Sequence, residues 1–378
     1  MVLPFAPTMA TDFHAEGLLD GLEDDARESR LRLLEELESQ GVPLDELRAA
    51  TAEGRLALVP LERALAPEGE RFTFDEMAER ADLDPAFLAD LTRALGLPIP
   101  DGGEAIFTQA DLDAAKTVGG FRAAGIGDEE LLEVTRVLGY SLSQIVAALR
   151  SMFTQSFFKP GDSEYDVAVR WAAAARELNP ILEDVVQYLL RAQQVAQLRQ
   201  SVFDLAGLGT GASQISVAFA DLAGFTRLGE QVAADQLGSV AGRLTALATN
   251  TARPPVRLVK MIGDAAMLVS TDPHALLDAV LRLVDAVEAE GEEFPSLRAG
   301  IASGEGLSRG GDWFGAPVNL ASRITDKARP GSVVVPEEFK DQVGEDGYDW
   351  TKLPGRRKFK GISENQVLYR VRPAGVGS

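Results

Sequence analysis

A change of hydrophobic pattern at a glycine-rich break divides the chain into two parts that must fold differently. The break is residues 207–213, Gly-Leu-Gly-Thr-Gly-Ala-Ser, and glycines at this density interrupt helices and strands alike. Before it, apolar residues recur at helical spacing, as in the leucines of residues 31–37. After it, short apolar runs alternate with helical segments. The 378 residues therefore predict two domains, residues 1–206 and residues 207–378.

The first domain is predicted to be all-α. Acidic residues at 128–130 precede an apolar run, which is typical of a helix N-terminus. The longest helical stretch runs from residue 163 to residue 198, and Pro180 is expected to interrupt or kink it. Its second half, about residues 181–206, would form a linker helix that leads into the second domain.

Residues 71–115 resemble the winged-helix module of MerR-type regulators, in which the second helix reads DNA with basic side chains. The corresponding stretch here, residues 84–97, has Arg93 as its one basic residue, against Asp84 and Asp90. We therefore expect this segment to serve in packing and predict no nucleic-acid partner. A transcription regulator is the alternative function for this part of the chain.

Charge is distributed unevenly between the two parts. Residues 1–200 carry 18 basic and 36 acidic side chains, whereas residues 201–378 carry 19 and 22. The acidic part would repel nucleic acid and anionic lipid, while the second part is compatible with a polyanion such as a triphosphate. The absence of cysteine excludes disulfides and thiolate zinc sites. No apolar run approaches a membrane span and no secretory signal is recognisable, so we expect a cytoplasmic protein without a transmembrane segment.

The second domain shows a βαββαβ order of segments, which predicts an α+β domain of ferredoxin-like type with helices on one face of an antiparallel or mixed sheet. The predicted elements are a strand at 215–220, a helix at 235–252, strands at 256–261 and 265–269, a helix at 275–290, and strands at 297–303, 332–335 and 366–371. Residues 304–312 are short and rich in glycine and serine, and their structure is left open.

Three motifs lie on this framework. The first, residues 217–226, is Val-Ala-Phe-Ala-Asp-Leu-Ala-Gly-Phe-Thr, the second, residues 260–264, is Lys-Met-Ile-Gly-Asp, and the third begins at Asp312 and ends at Arg323. Over about residues 213–372 they resemble the catalytic domain of class III nucleotidyl cyclases. That resemblance implies an adenylyl cyclase, which converts ATP to 3′,5′-cyclic AMP and pyrophosphate.

In the first motif Asp221 ends a buried strand, and in the second Asp264 lies in a hairpin turn. Carboxylates from adjacent strands, here Asp221 and Asp264, can hold two Mg²⁺ or Mn²⁺ ions per active site for an in-line attack on a phosphoryl group. The residues after the first aspartate, Gly224, Phe225 and Thr226, can turn their backbone N–H groups toward phosphate oxygens. An ordinary strand-to-helix turn is the alternative interpretation of this segment.

The resemblance assigns further substrate contacts. Lys260 and Asp312 match the acceptor and donor of adenine, whereas guanylyl cyclases of this family typically carry glutamate and cysteine at these positions. Asn319 and Arg323, which are four residues apart and hence on one helix face, would orient the ribose and stabilise the transition state. The basic segment near the C-terminus would supply a triphosphate-binding lysine, which is Lys360 or alternatively Lys358.

The same resemblance implies a homodimer with composite active sites at the interface. One chain would supply the metal-binding aspartates, and its partner the remaining substrate contacts. The N-terminal domain resembles the autoinhibitory domain of soluble actinobacterial cyclases, and a proton or a small molecule such as a lipid is its expected effector. With only two histidines, His14 and His274, acid sensing would fall to carboxylates such as those of residues 23–25, unless these are a solvated face. A non-catalytic nucleotide-binding sensor and a guanylyl cyclase are the alternative functions.

Overall fold

The computed structural model describes residues 11–65, 69–100, 103–157, 159–201, 212–359 and 365–375. The chain forms two compact units, residues 1–195 and residues 196–378. Most of the glycine-rich break lies outside the described residues. None of the described helices combines the length and the apolar character needed to cross a membrane.

The part before the break is helical, which confirms the all-α prediction. Its described residues form helices and turns, with one isolated antiparallel bridge between Phe72 and Phe107. The helices are α1 (Asp24–Ser39), α2 (Leu44–Ala52), α3 (Val59–Leu65), α4 (Phe74–Ala81), α5 (Pro85–Ala94), α6 (Gln109–Ala123), α7 (Asp128–Phe157) and α8 (Glu164–Ser201), and a short 3-10 helix at Leu56–Leu58 precedes α3. The expected helix start at Asp128 is confirmed.

Helix α8 begins against α1 and is longer than expected. The Arg30 guanidinium donates to both carboxylate oxygens of Glu164 at 2.8 and 3.1 Å, and the Tyr165 hydroxyl donates to Glu36 at 2.7 Å. The helix then continues through Pro180 for a total of 38 residues, so it is not interrupted there, and a kink at Pro180 stays a prediction. A proline removes one backbone donor, and the remaining bonds of so long a helix hold it together.

The winged-helix-like segment has its own small core and is packed within its unit. Thr73 and Thr108 form capping boxes at the starts of α4 and α6. The C-terminal end of α5 lies against α7, where a Cβ on Gly139 would be 2.7 Å from the Ala94 carbonyl oxygen. Arg93, the one basic side chain of α5, pairs with Asp90. These contacts support packing as the role of the segment.

The second unit is built around one mixed sheet. Its elements are β1 (Ala212–Leu222), α9 (Phe225–Leu228), α10 (Ala234–Thr251), β2 (Arg257–Ile262), β3 (Ala265–Ser270), α11 (Pro273–Glu288), β4 (Leu297–Arg309), β5 (Asp312–Gly315), α12 (Ala316–Thr325), β6 (Ser332–Pro336), α13 (Glu337–Val343), β7 (Tyr348–Lys352) and β8 (Leu368–Pro373). The strand order is β2-β3-β1-β4-β6-β8-β7, with β5 paired to β4. The first four strands are antiparallel in the ferredoxin-like order, and β6 joins β4 in parallel, so the predicted fold class is confirmed.

Helices cover both faces of this sheet, which corrects the expectation that they lie on one. Alternate residues of a strand point to opposite faces, and Ala218, Ala220 and Leu222 pack with α10, α11 and α13 in the main core. On the other face, α12 covers a second group of buried residues, here named the α12-side cluster. Its members are Ile215, Val217, Met267, Val269, Ala302 and Ala321.

The glycine-rich residues 304–312 form a hairpin. Strand β4 extends to Arg309, turns at Gly310 and Gly311, and pairs with β5 in the register Leu307 to Phe314 and Ser308 to Trp313. The sequence alone did not predict this hairpin. Because β4 extends to Arg309, Asp312 lies at the opposite end of β4 from the residues that pair with β6.

Candidate active site

Two carboxylates meet at one end of the sheet, where β1 finishes and the β2–β3 hairpin turns. Asp221 pairs in register with Ala265 of β3. Asp264 lies in the turn beside Gly263, whose φ of 61° favours glycine. The Leu222 N–H donates to the Asp264 carbonyl oxygen at 3.2 Å, and the two carboxyl groups are within hydrogen-bonding reach. The structure thus brings the two predicted metal ligands together.

Burial and a neighbouring charge change the acidity of Asp264. Partial burial raises the pKa of Asp264, and the charge of Asp221 raises it further, while a backbone hydrogen bond and Arg298 act against both. A divalent cation would relieve the repulsion, because carboxylate oxygens are ligands that Mg²⁺ prefers. The described residues hold no cluster of three or more acidic, histidine or cysteine side chains suited to a metal. This fits an ion that completes its coordination with phosphates and water.

Arg298 is a further member of this site that the sequence analysis missed. It lies opposite Asp221 in the β1–β4 register, and its Nε and Nη2 atoms donate to one oxygen of Asp221, Oδ2, at 2.9 and 2.6 Å. Its Nη1 atom donates to the Asp326 carbonyl oxygen at 3.3 Å. The guanidinium therefore fixes the carboxylate of Asp221 and leaves Oδ1 available. The only signal in the sequence was the strand register, which follows from the ferredoxin-like topology.

The turn after Asp221 has the backbone conformation that the sequence analysis expected of a phosphate cradle. Gly224 has φ of 81° and precedes the four-residue helix α9. Phe225 is half-buried and packs against the main core, which anchors the turn, while Thr226 is exposed. The first N–H groups of a helix have no intrahelical acceptor, so the N–H groups after Gly224 can donate hydrogen bonds to a ligand.

Lys260 and Asp312 form an ion pair, although 52 residues separate them in sequence. Lys260 follows a bulge in β2, and Asp312 is the first residue of β5. The Lys260 ammonium contacts Oδ2 of Asp312, while the Trp313 N–H donates to Oδ1 at 2.9 Å. Both side chains keep substantial exposure, 41% and 30%. A planar base can therefore reach this donor and acceptor.

Helix α12 carries Asn319 and Arg323 on its outward side. The helix approaches β4 so closely at Gly300 that a Cβ there would lie 2.5 Å from the Thr325 nitrogen and 2.6 Å from the Ala321 oxygen. Asn319 is exposed and Arg323 half-buried, and Arg323 forms no hydrogen bond or ion pair with any described residue. The tight contact with β4 fixes the helix, and with it the positions from which these two side chains project.

Of the two candidate lysines near the C-terminus, the structure describes Lys358. Lys360 lies outside the described residues, and Lys358 is exposed just before the buried Phe359. Arg357 pairs with Gln366 through the backbone, so the basic segment lies close to the start of β8. The choice between the two lysines stays a prediction.

The site residues form two groups in one chain. Arg298 bonds to Asp221, whose carboxyl group neighbours that of Asp264, and Lys260 and Asp312 form a separate pair. Across the described residues, no hydrogen bond or ion pair connects the first group to the second.

Comparison with known proteins gives matches along nearly the whole chain. A model of the adenylate cyclase regulatory domain matches residues 11–201, and a model of the adenylate and guanylate cyclase catalytic domain matches residues 210–372. A protein named pH-sensitive adenylate cyclase from Mycobacterium tuberculosis is 38% identical over 96% of this chain and 93% of its own length.

Two further relatives are more distant. An adenylate cyclase from Streptomyces griseus is 28% identical over 75% of this chain and 71% of its own length. The crystal structure of the adenylyl cyclase CyaB from P. aeruginosa aligns with 43% of this chain and 95% of its own, with 21% identity and a TM-score of 0.39.

Proposed function

This chain belongs to the adenylate cyclases of class III, with a regulatory domain followed by a catalytic domain, and we propose that it converts ATP to 3′,5′-cyclic AMP and pyrophosphate. The regulatory domain is assigned to residues 1–206 and the catalytic domain to residues 207–378. The regulatory domain includes the winged-helix-like segment 71–115 and the linker helix of about residues 181–206. In the reaction the ribose 3′-oxygen attacks the α-phosphorus, the bond to the β-phosphate oxygen breaks, and pyrophosphate leaves.

The observation that carries adenine as the base is the Lys260–Asp312 ion pair. Adenine presents an acceptor at N1 and an amino donor at C6, so a lysine donor beside a carboxylate acceptor matches it. Guanine presents a donor at N1 and an acceptor at C6, so the lysine donor would face a donor and the carboxylate acceptor would face an acceptor. A site built to hydrogen-bond one pattern rejects the other strongly, because buried polar groups are left unpaired.

The Asp221–Asp264 pair is the proposed position of two Mg²⁺ or Mn²⁺ ions, and a divalent-metal requirement is general for this catalytic domain. Asp221 and Asp264 would hold these ions, whose chemistry when bound would be to lower the pKa of the 3′-hydroxyl and to neutralise charge on the triphosphate. Arg298 donates two hydrogen bonds to one oxygen of Asp221 and so orients the carboxylate, which leaves the other oxygen for a ligand. The raised pKa of Asp264 supports this assignment, since partial burial and the charge of Asp221 both disfavour the ionised carboxylate, and a bound cation would offset both.

The remaining residues bind and orient the substrate. Asn319 is proposed to orient the ribose, and Arg323 to donate two directed hydrogen bonds to the α-phosphoryl oxygens as charge develops. The N–H groups at Gly224, Phe225 and Thr226 would bind phosphate oxygens. Lys360, or alternatively Lys358, would bind the triphosphate. Arg323 has no hydrogen-bond or ion-pair partner among the residues that the structure describes, which supports its role because the guanidinium remains available to a substrate.

We propose that the active site is shared between two copies of the chain. Among the described residues of one copy no hydrogen bond or ion pair joins the two groups of site residues, and several of these side chains are exposed, as expected for side chains that are completed by a partner. One copy would supply Asp221 and Asp264, and the other would supply Lys260, Asp312 and the residues of α12. A twofold interface then contains two such sites.

Complementation tests this sharing. Asp221→Ala and Arg323→Ala should each abolish activity, because each removes one half of both sites. Random mixing should restore about one quarter of wild-type activity, since about half of the dimers are mixed and each has one intact site. Differently tagged chains verify that mixed dimers form. Verified mixed dimers without activity would refute shared sites.

The helical domain is proposed to regulate this pairing, in response to a proton or a small molecule. Helices α7 and α8 carry most of the large apolar side chains that are exposed among the described residues, including Tyr140, Val146, Tyr188 and Leu198. Large exposed apolar patches mark interaction sites, so these helices are the proposed contact with a second copy. The acidic residues 23–25 are exposed at the start of α1, which favours a solvated face over an acid sensor.

Turnover by the purified full-length chain tests the function itself. With Mn²⁺, cyclic AMP from ATP and at most trace cyclic GMP from GTP are expected, and the profile against pH reports whether protons regulate the activity. Equal turnover of GTP would favour a guanylyl cyclase. Nucleotide binding without product would favour a sensor module. A fragment of residues 207–378 with unchanged specific activity at every pH would contradict regulation by the helical domain.

A further inference from the structure

Lys260 and Asp312 are each adjacent in sequence to a residue that packs into the α12-side cluster. Val259 precedes Lys260, and Trp313 follows Asp312, and both are half-buried against the cluster. The cluster also supports α12, through Ala321 and the adjoining Val318 and Leu320. One small apolar core therefore lies beneath the base-binding pair and beneath the helix that carries the ribose and phosphate contacts.

Trp313 connects this core to Asp312 in two ways. Its backbone N–H donates to Oδ1 of Asp312 at 2.9 Å, which leaves Oδ2 for Lys260. Its indole packs into the cluster, whereas the next residue, Phe314, points away and is 52% exposed. A hydrogen bond between adjacent residues depends on the local backbone angles, so it persists only where the backbone is held. The indole is the side chain of β5 that holds it.

We propose that Trp313 is a positioning residue for purine selectivity, an inference that rests on the proposed function. The indole fixes the backbone at Asp312, and the fixed carboxylate and ammonium then present one acceptor and one donor at set positions. An ammonium has three donors, so Lys260 can contact Asp312 and N1 of adenine together. Rejection of guanine requires that the carboxylate cannot rotate away from the guanine oxygen. A mobile Asp312 would remove that penalty.

The test compares ATP and GTP as substrates for full-length variants. Trp313→Ala removes the indole but keeps the backbone N–H, and Trp313→Phe is the conservative variant. Trp350→Ala is the matched control, because it makes the same truncation in the same unit, on β7, where the indole bonds to Gly344. For each variant, kcat and KM are measured for both nucleotides, together with the melting temperature.

Trp313→Ala is expected to lower the ratio of kcat/KM for ATP over GTP by ~10-fold or more, mainly through a higher KM for ATP. Trp313→Phe should keep the ratio near that of the wild type. Trp350→Ala should keep it even if the melting temperature falls, since a general loss of stability affects both nucleotides alike. In a Lys260→Ala background, Trp313→Ala should change the ratio little further, because the pair that it positions is already broken.

An unchanged ATP to GTP ratio in folded Trp313→Ala overturns the inference. If that variant does not fold, Trp313→Val keeps an apolar residue on the strand but removes most of the packing into the cluster, and an unchanged ratio in it overturns the inference equally. A ratio that falls as far in Trp350→Ala as in Trp313→Ala also overturns it. Failure of the wild-type chain to make cyclic AMP overturns the proposed function, and the inference with it. That outcome is distinguishable because the wild-type chain is assayed on its own.

Discussion

Removal of the Arg298 guanidinium should weaken catalysis without dismantling the fold. Arg298 makes two charge-assisted hydrogen bonds to Asp221, and the two side chains are 27% and 20% exposed, so solvent screens them only in part. Hydrogen bonds to charged groups contribute about 1.5–3 kcal/mol. If that energy orients Asp221 for catalysis, Arg298→Ala should lower kcat/KM by ~10- to 100-fold, since about 1.4 kcal/mol corresponds to tenfold.

The pH profile of the same variant has a defined direction. The Arg298 charge lowers the pKa of Asp264, so its loss raises that pKa further above the ordinary value. Because the ionised carboxylate is the form that binds a cation, the acid limb of activity should move to higher pH. The apparent affinity for Mn²⁺ should fall as well. Both are read from kcat/KM measured against pH and against metal concentration.

Two variants serve as controls for Arg298→Ala. Arg243→Ala removes a pair with Glu290, at 2.9 and 2.7 Å, that joins α10 to the segment just after α11 and is not bonded to either carboxylate of the site. It should leave kcat/KM and the acid limb unchanged. Arg298→Lys keeps the charge but not the fork, and should lie between the wild type and alanine. Wild-type kcat/KM and an unshifted acid limb in Arg298→Ala would refute the role assigned to this arginine.

Glycine positions supply the remaining predictions. Gly300→Val should lower the free energy of unfolding by more than about 1–3 kcal/mol, or prevent folding, because its Cβ would meet the backbone of Thr325. Gly238→Ala, in an exposed turn of α10 with nothing nearby, should raise it by about 0.5–1 kcal/mol, and calorimetry compares the two. Gly139→Val should separate α7 from Leu95 and change regulation of the full-length enzyme. Unaltered activity at every pH in that variant would count against coupling through α7.

The sequence predicted the sheet well where apolar periodicity and topology act together. Strands β1 to β4 and the helices between them follow the expected order, because β1, β3 and β4 each have at least one buried face and α11 has a clear apolar stripe. The two aspartates were placed at one sheet end by the same reasoning. These features depend on local pattern and on chain connectivity, both of which a single sequence carries.

Close packing explains what the sequence did not predict. The glycines of residues 304–312 left the structure of this segment open, but a Cβ on Gly304 would lie 3.4 Å from Pro317, and a Cβ on Gly306 would clash with Ile215 at 2.4 Å. Glycine in a strand often marks such an approach, but the approaching residue cannot be identified without the fold. Arg298 was missed for the same reason, because its contact with Asp221 arises from strand register alone.

The exposure of the base-binding pair has a consequence for control of the proposed enzyme. In water-filled surroundings the charges of Lys260, Asp312 and Arg323 are screened, and their electrostatic contribution to catalysis is small. A second copy placed over them would exclude water and bring the carboxylate pair to the substrate, so pairing would strengthen each interaction as well as complete the site. A small shift in the equilibrium between paired and separated catalytic domains would thus change turnover steeply. A regulatory domain that alters that equilibrium needs no contact with the substrate.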